Sequence, residues 1–200
     1  MGIEIIGIGS YLPEKILTNA ELEKMVKTSD EWIMTRTGIK ERRIAKDTEA
    51  TSDLGTNAAK RALKKANISV EEIDAIIVAT ITPDMFFPST ACFIQKEIGA
   101  KNAAAFDISA ACSGFIYGLT IAKSFINSDM YKTVMVLGAE KLSSITDWTD
   151  RNICVLLGDG AGAVILRKTD SNSDILSTYL GADGNYGDLL LIPGGGSRNP

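Results

Sequence analysis

Short apolar segments recur along the chain, and stretches in which apolar residues follow helical spacing separate them. The clearest apolar segment covers residues 75–79 within a predicted strand at 74–80, and such a run is typical of a strand covered on both faces. Residues 90–98 then predict a helix that ends at Gly99. This alternation predicts an α/β fold built on a parallel, layered sheet.

The same patterns assign the remaining elements. Strands are predicted over residues 3–8, 103–108, 133–137 and 161–167, with a later strand and turn within 174–188. Helices are predicted over residues 52–67 and on a segment marked by Phe115, Leu119, Ala122 and Ile126. Two capping boxes, Thr18-Asn19-Ala20-Glu21 and Thr28-Ser29-Asp30-Glu31, predict two short helices, the second of which ends at Gly38.

Composition is that of an ordinary globular protein. Of the 200 residues, 45% are hydrophobic and 23% are charged, and the formal net charge is -4. We expect no nucleic-acid partner, because no basic stretch stands out. We expect no membrane partner, because no apolar run reaches the roughly 18 residues that a spanning helix needs. The N-terminus lacks the basic and then apolar pattern of a signal peptide, which favours a cytoplasmic protein.

The chain has three cysteines and no histidine. Cys92, Cys112 and Cys154 are widely spaced and form neither a metal-binding pattern nor a disulfide framework, so we expect no metal site. Each is expected to be a free thiol in a reducing compartment. We interpret Cys92 and Cys154 as structural.

Cys112 lies in the segment with the strongest chemical signal. An apolar strand runs into a tight segment of small residues that includes Ala110 and Ala111, then Cys112, and then an apolar helix. At a helix N-terminus, unpaired amides and the helix dipole favour a thiolate. Small neighbours would let a thioester approach backbone amides that could hold an oxyanion. The alternative is an inert core thiol, which is common for free cysteines.

The segment around Cys112, which we call the elbow, and several other segments together resemble the β-ketoacyl-acyl carrier protein synthase III family of thiolase-fold condensing enzymes. These segments occur in the family's order and spacing over essentially the whole chain. They are Gly7-Ile8-Gly9-Ser10-Tyr11-Leu12-Pro13, Thr28-Ser29-Asp30-Glu31-Trp32-Ile33, Thr35-Arg36-Thr37-Gly38-Ile39, Phe87-Pro88-Ser89, Asp147-Trp148-Thr149-Asp150-Arg151 and Gly158-Asp159-Gly160-Ala161-Gly162-Ala163.

The resemblance implies a thiolase-like fold of two related halves in five α/β/α/β/α layers. Residues 1–168 would form the N-terminal half, and residues 169–200 would begin the C-terminal half. A half alone would expose the apolar face that its mate covers. We therefore expect a longer protein, or a second chain that supplies the rest.

The resemblance also implies an activity for Cys112. This residue would accept an acyl group, usually acetyl, from acyl-CoA and pass it to the carbanion formed when malonyl-acyl carrier protein loses carbon dioxide. The family's other catalytic groups, a histidine and an asparagine, have no assigned counterpart here. Acyl-CoA and malonyl-acyl carrier protein would be the partners of a homodimer that needs no cofactor, since acetyl-CoA is a substrate.

Substrate-binding residues follow from the same resemblance. Trp32 would stack on the adenine of coenzyme A, with Arg151 on the other face of the base, and Thr28 and Arg36 would contact the nucleotide and its pantetheine arm. An indole and a guanidinium suit an aromatic base, and a planar cation suits phosphate. The alternatives are a core anchor for Trp32 and ordinary surface charge for the two arginines.

An acyl pocket is implied at three further positions. Phe87 would project across a twofold interface and close the partner's pocket, and Leu142 and Leu157 would line it. Leu157 departs from the family pattern, in which an aromatic residue often precedes the GDGAG segment. Ordinary core packing is the alternative for all three residues.

Two other functional classes are considered. One is a different thiolase-fold synthase, of the polyketide type or like hydroxymethylglutaryl-CoA synthase, for which we expect a poorer match around Trp32 and Arg151. The other is a non-catalytic partner subunit of the same fold. The missing histidine favours this second alternative, and the retained Cys112 argues against it.

Overall fold

The computed structural model describes residues 2–200 and contains a five-stranded sheet and a two-stranded sheet. The strands are β1 (Gly2–Tyr11), β2 (Lys15–Thr18), β3 (Glu41–Ile44), β4 (Ala75–Ala79), β5 (Ala104–Ile108), β6 (Thr133–Lys141) and β7 (Asp159–Thr169). The large sheet has the order β1-β7-β6-β4-β5, and β2 pairs with β3 alone. The small sheet has no counterpart among the predicted elements.

Six α-helices connect or flank these strands. They are α1 (Asn19–Leu22), α2 (Asp30–Thr37), α3 (Thr51–Ala66), α4 (Thr90–Ile98), α5 (Gly114–Asn127) and α6 (Arg151–Cys154). The predicted helices at 52–67 and 90–98 correspond to α3 and α4, and the segment marked by Phe115 and Ile126 is α5. No helix within residues 2–200 is long and apolar enough to cross a membrane.

The prediction of a parallel sheet is correct for only part of the sheet. Strand β4 pairs in parallel with β5 and with β6, but β7 is antiparallel to both β6 and β1. A parallel return needs a crossover helix that spans the sheet. The β6–β7 connection contains a 3-10 turn at Leu142–Ser144 and the four-residue helix α6, both too short to span the sheet, so the chain turns back beside β6.

The core lies on both faces of the sheet, because successive strand residues point to opposite sides. On one face, Ile76 and Val78 of β4 pack with buried residues of α3 and α4. On the other face, Ala75 and Ile77 pack with Ala122 and Ile126 of α5. This explains why β4 is apolar at every position and buried throughout. The result is a three-layer α/β/α arrangement.

The two predicted capping boxes have different outcomes. The first is confirmed, since the Thr18 side chain accepts a hydrogen bond from the Glu21 amide and the Glu21 carboxylate accepts one from the Thr18 amide. The second is wrong in position: Ser29, and not Thr28, is the N-cap of α2, and its hydroxyl accepts from the amide of Trp32 at 3.1 Å. Gly38 ends α2 in the left-handed conformation, as predicted, with φ 72°.

The strand predicted within residues 174–188 is absent. This segment contains the 3-10 turn Gly184–Leu189, and most of its side chains are exposed. It lies against α5, where the Tyr117 hydroxyl donates to the carbonyl of Gly181 at 3.0 Å and the Lys123 amine donates to the carbonyl of Ile175. A helix surface offers no backbone ladder, so apolar composition alone does not make this segment a strand.

Candidate active site

Cys112 lies on a tight turn between β5 and α5. Strand β5 ends at Ile108, the 3-10 turn Ala111–Ser113 follows, and α5 begins directly after it. Cys112 is exposed, whereas Cys154 is completely buried. The thiol that packs in the core is therefore Cys154, and the elbow holds Cys112 on the solvent side of the sheet edge.

The backbone before Cys112 is strained. Ala111 has φ 44°, in the left-handed region that residues with a Cβ rarely adopt. Such a conformation persists only where the surrounding structure holds it, and it is concentrated at functional sites. An alanine gives no sign of this conformation in the sequence, so the feature was not predicted.

Close packing beneath the elbow requires a glycine. A Cβ placed on Gly114, the first residue of α5, would lie 2.9 Å from the Cβ of Ala79 at the end of β4. Gly114 therefore lets the N-terminus of α5 rest directly on the sheet. This contact places Cys112 at the carboxyl edge of the parallel strands, where open α/β sheets bind ligands.

A cleft of about 550 Å³ opens at the same edge of the sheet. Its lining comes from the loop after β4, from the start of α4 and from the end of β5 as far as Ser109, close to the elbow in sequence. The lining residues are Thr80, Ile81, Pro83, Met85, Phe86, Ser89, Phe106, Asp107, Ile108 and Ser109.

Glu140 at the end of β6 fixes the loop that borders this cleft. Its carboxylate accepts hydrogen bonds from the backbone amides of Ile81 at 2.8 Å and Thr82 at 3.1 Å. The hydroxyls of Thr80 and Thr82 donate to the same carboxylate. The sequence analysis did not single out Glu140, because its partners lie on a distant loop.

Asp107 anchors the helix on the other side of the cleft. Its two carboxylate oxygens accept from the amides of Thr90 at 2.7 Å and Ala91 at 2.8 Å, the first residues of α4. Burial raises the pKa of Asp107, and the hydrogen bonds from α4 partly offset that rise. An acid inside an otherwise apolar strand is the sequence signal for this role.

Trp32, Arg36 and Arg151 come together in the structure. The guanidinium carbons of Arg36 and Arg151 each lie 4.6 Å from the centroid of the Trp32 ring. Arg151 also donates to the carbonyl of Lys27 at 3.0 Å, which holds it at the loop before α2. Because both arginines lie over the indole, an arriving base must stack on a guanidinium or displace one.

Thr28 adjoins this cluster in the chain and has an unusual hydroxyl. The residue is half-buried, and its Oγ1 is buried without a hydrogen-bond partner among residues 2–200. Buried polar atoms are nearly always paired, so an unpaired hydroxyl here is unusual.

The three residues implied for an acyl pocket differ in exposure. Leu142 and Leu157 are both half-buried and lie at the same end of the sheet, where Lys141 of β6 pairs with Asp159 of β7. Phe87 is 84% exposed on the loop that precedes α4. Their roles in acyl binding stay predictions.

Asp159 was not assigned a role in the sequence analysis, although it is buried near Leu142. Its carboxylate accepts from the amides of Ala45 and Ser143 at 2.7 and 2.8 Å, and from the Ser143 hydroxyl at 2.6 Å. This carboxylate joins the small sheet to the turn that follows β6. Its position between two glycines in the Gly158-Asp159-Gly160 segment was a visible signal in the sequence.

Comparison with known proteins agrees with this architecture. A family model described as 3-oxoacyl-[acyl-carrier-protein (ACP)] synthase III matches residues 106–184. The beta-ketoacyl-[acyl-carrier-protein] synthase III of Caldanaerobacter subterraneus subsp. tengcongensis is 65% identical over 98% of this chain and 59% of that protein. The crystal structure of 3-oxoacyl-[acyl-carrier-protein] synthase III from Aquifex aeolicus VF5 is 60% identical, with a TM-score of 0.90 over 92% of this chain and 59% of that one.

A synthase of the polyketide type is less similar. The priming β-ketosynthase of the R1128 polyketide pathway is 38% identical, with a TM-score of 0.82 over 85% of this chain and 51% of that one.

The chain spans about three fifths of the length of the curated relatives that it matches. Its α/β fold is thiolase-like, and the identities of 60% and 65% belong to proteins described as 3-oxoacyl- or beta-ketoacyl-[acyl-carrier-protein] synthase III. Over nearly its whole length, the chain resembles proteins of the β-ketoacyl-[acyl-carrier-protein] synthase III family.

Proposed function

We propose that Cys112 accepts an acetyl group from acetyl-CoA and donates it to malonyl-acyl carrier protein in the first condensation of fatty acid synthesis. The observation that carries this proposal is the exposed thiol on a strained turn, directly before an apolar helix and close in sequence to a cleft. A buried structural cysteine needs neither the strain nor the exposure.

In the loading step, the Cys112 thiolate attacks the carbonyl carbon of the acetyl thioester. The tetrahedral oxyanion then collapses, the carbon–sulfur bond to coenzyme A breaks, and coenzyme A leaves as a thiolate that takes up a proton. The product is an acetyl thioester on Cys112. Backbone amides at the N-terminus of α5 are suited to stabilise the oxyanion.

In the condensation step, malonyl-acyl carrier protein loses carbon dioxide and leaves a carbanion on its α-carbon. The carbanion attacks the acetyl carbonyl, the carbon–sulfur bond to Cys112 breaks, and a β-ketoacyl-acyl carrier protein forms. The thiolate of Cys112 is restored. The family places a histidine and an asparagine at this step, and this chain has no histidine. The residues of this chain account for loading and for holding the acetyl group.

Coenzyme A recognition is proposed at the Trp32 cluster. The adenine would stack beside the indole and the Arg151 guanidinium, the phosphates would pair with Arg36, and the free Thr28 hydroxyl would bind a polar group of the nucleotide or pantetheine arm. The planar cations on the indole support this proposal, because a guanidinium can stack on the base and can pair with the phosphates of the ligand.

The acyl pocket and a homodimer are proposed together. Phe86 and Phe87 are 85% and 84% exposed on the loop before α4. Adjacent exposed aromatic side chains are common at protein interfaces. Phe87 would close the pocket of the partner, and Leu142 and Leu157 would line it.

Radiolabelled acetyl-CoA tests the loading step. We expect stable incorporation of label into the wild-type protein and none into the Cys112→Ser variant, with Cys92→Ser as a matched control that still incorporates label. Label on Cys112→Ser at the wild-type level would remove Cys112 from the mechanism. Addition of malonyl-acyl carrier protein to the labelled protein, with detection of acetoacetyl product, separates condensation from simple acyl transfer.

A further inference from the structure

Arg42 on β3 is a buried cation. Its side chain is only 5% exposed, and it forms no ion pair with a carboxylate among residues 2–200. Its guanidinium is instead surrounded by neutral acceptors: it donates to the carbonyl of Leu17 at 3.0 Å, to Oδ1 of Asn19 at 2.8 Å and to the carbonyl of Val155 at 3.2 Å. A charge buried in this way is costly, so its contacts require an explanation.

One of these contacts leads to the helix that carries Trp32 and Arg36. Asn19 is itself buried, and while its Oδ1 accepts from Arg42, its amide nitrogen donates to Oδ1 of Asp30 at 2.7 Å and to the carbonyl of Ile39 at 2.8 Å. Asp30 is the first residue of α2. Arg42 and Asn19 therefore connect the core of the small sheet to both ends of this helix.

Another contact leads to the helix that carries Arg151. Val155 directly follows α6, and its carbonyl accepts from Arg42. Cys154, the last residue of α6, is buried near the guanidinium. The backbone at Gly158 also lies close to the Arg42 side chain, since a Cβ on Gly158 would lie 3.0 Å from the Cβ of Arg42.

These contacts join two helices that are far apart in the chain but share one cluster. We propose that Arg42, acting through Asn19, is a positioning residue that holds Trp32 and Arg151 at the relative positions that bind the nucleotide of coenzyme A. This inference rests on the proposed function of the Trp32 cluster. Neither Arg42 nor Asn19 needs to touch the ligand.

The geometry requires an arginine. A guanidinium presents donors in a fixed planar fork and can reach three acceptors in different directions. An ammonium on a flexible stem behaves instead as a single point charge. An Arg42→Lys variant keeps the charge and loses part of the fork. We expect α2 and α6 to lose their common anchor in that variant, while the elbow at Cys112 is unaffected.

The test compares coenzyme A with acetyl-pantetheine, a donor that lacks the nucleotide. We expect Arg42→Lys to weaken binding of coenzyme A, measured by calorimetry, by about tenfold, which matches the loss of one hydrogen bond to a charged group. In the same variant, the rate of acetyl transfer to Cys112 from acetyl-pantetheine, which has no nucleotide, should change less than about twofold. Arg43→Lys is the matched control, since Arg43 lies on the same strand but donates to Pro13.

A second variant covers the case in which Arg42→Lys does not fold. Asn19→Asp keeps an acceptor for Arg42 but removes the donor to Asp30, and it should weaken coenzyme A binding similarly. In a Trp32→Ala background the effect of either change should shrink, because one of the two positioned groups is gone.

Three results would overturn the proposal: unchanged coenzyme A affinity, an equal loss with acetyl-pantetheine, or a full effect in the Trp32→Ala background. Failure of the proposed loading function would appear differently, as wild-type protein that takes no acetyl group from either donor. Coenzyme A binding is measured without turnover and reports on Arg42 in either case.

Discussion

The guanidinium of Arg151 lies over the indole of Trp32, 4.6 Å from the ring centroid, although the two residues belong to helices far apart in the chain. A hydrogen bond from Arg151 to the carbonyl of Lys27 and the packing of Trp32 beside buried Ile33 hold the pair. The cluster is thus assembled before a ligand arrives, which lowers the ordering cost of binding.

Replacement of Arg151 tests the contribution of this stacked pair. We expect Arg151→Lys to raise the Kd of coenzyme A roughly fivefold to tenfold, because an ammonium keeps the charge but cannot stack as a plane. Calorimetry of coenzyme A binding measures the effect. Arg61→Lys is the control, since Arg61 also lies over an aromatic ring, that of Tyr11, outside the cluster. Equal losses in both variants would contradict a specific role for Arg151.

Two glycines provide a test of backbone strain on stability. Gly38 and Gly162 both have open space around an added Cβ, but only Gly38 has a positive φ, at +72°. We expect Gly38→Ala to lower the free energy of unfolding by about 1 kcal/mol and Gly162→Ala to leave it unchanged or raise it slightly. Urea unfolding measures both variants. Equal destabilisation would show that the conformation at Gly38 is not the cause.

Asp107 should make stability fall as pH rises. Burial raises its pKa above the ordinary value of 3.8, so the folded state holds the proton more tightly than the unfolded chain. The stabilisation from this proton is complete below pH 3.8 and is lost as pH rises through the folded pKa. In urea unfolding, the stability of wild type minus that of Asp107→Asn should decrease with pH over this window. An increase would contradict the burial argument.

Glu49 should show the opposite trend. The backbone amide of Lys46 and the hydroxyl of Tyr11 donate to its carboxylate and hold its pKa below the ordinary 4.5. Its stabilisation is therefore present above pH 4.5 and is lost as pH falls through the folded pKa. The difference in unfolding free energy between wild type and Glu49→Gln should grow with pH, and a flat difference would show that the hydrogen bonds do not persist in solution.

The sequence predicted the local elements well and the strand pairing less well. The apolar run of β4 and the helix ending at Gly99 follow from local patterns, and both match the structure. The antiparallel direction of β7 depends on how the β6–β7 connection packs, which a pattern of apolar residues does not record. The strand expected within 174–188 is absent because this segment lies against α5, and a helix surface offers no backbone ladder.

Motif residues of the candidate site were found from the sequence, while their supporting residues were not. Trp32 and Cys112 stand in recognisable segments, and the structure places them on a short helix and an exposed turn. Glu140 and Arg42 act on backbone groups of distant segments. Such contacts exist only after folding, and a single sequence carries no sign of them.

Mass-spectrometric mapping of the acetyl group after brief exposure to acetyl-CoA tests the central claim most directly. The account predicts an acetyl thioester on the peptide that contains Cys112, and unmodified peptides that contain Cys92 and Cys154. An acetyl group on Cys92, or no acetylated thiol in a protein that binds coenzyme A, would contradict it.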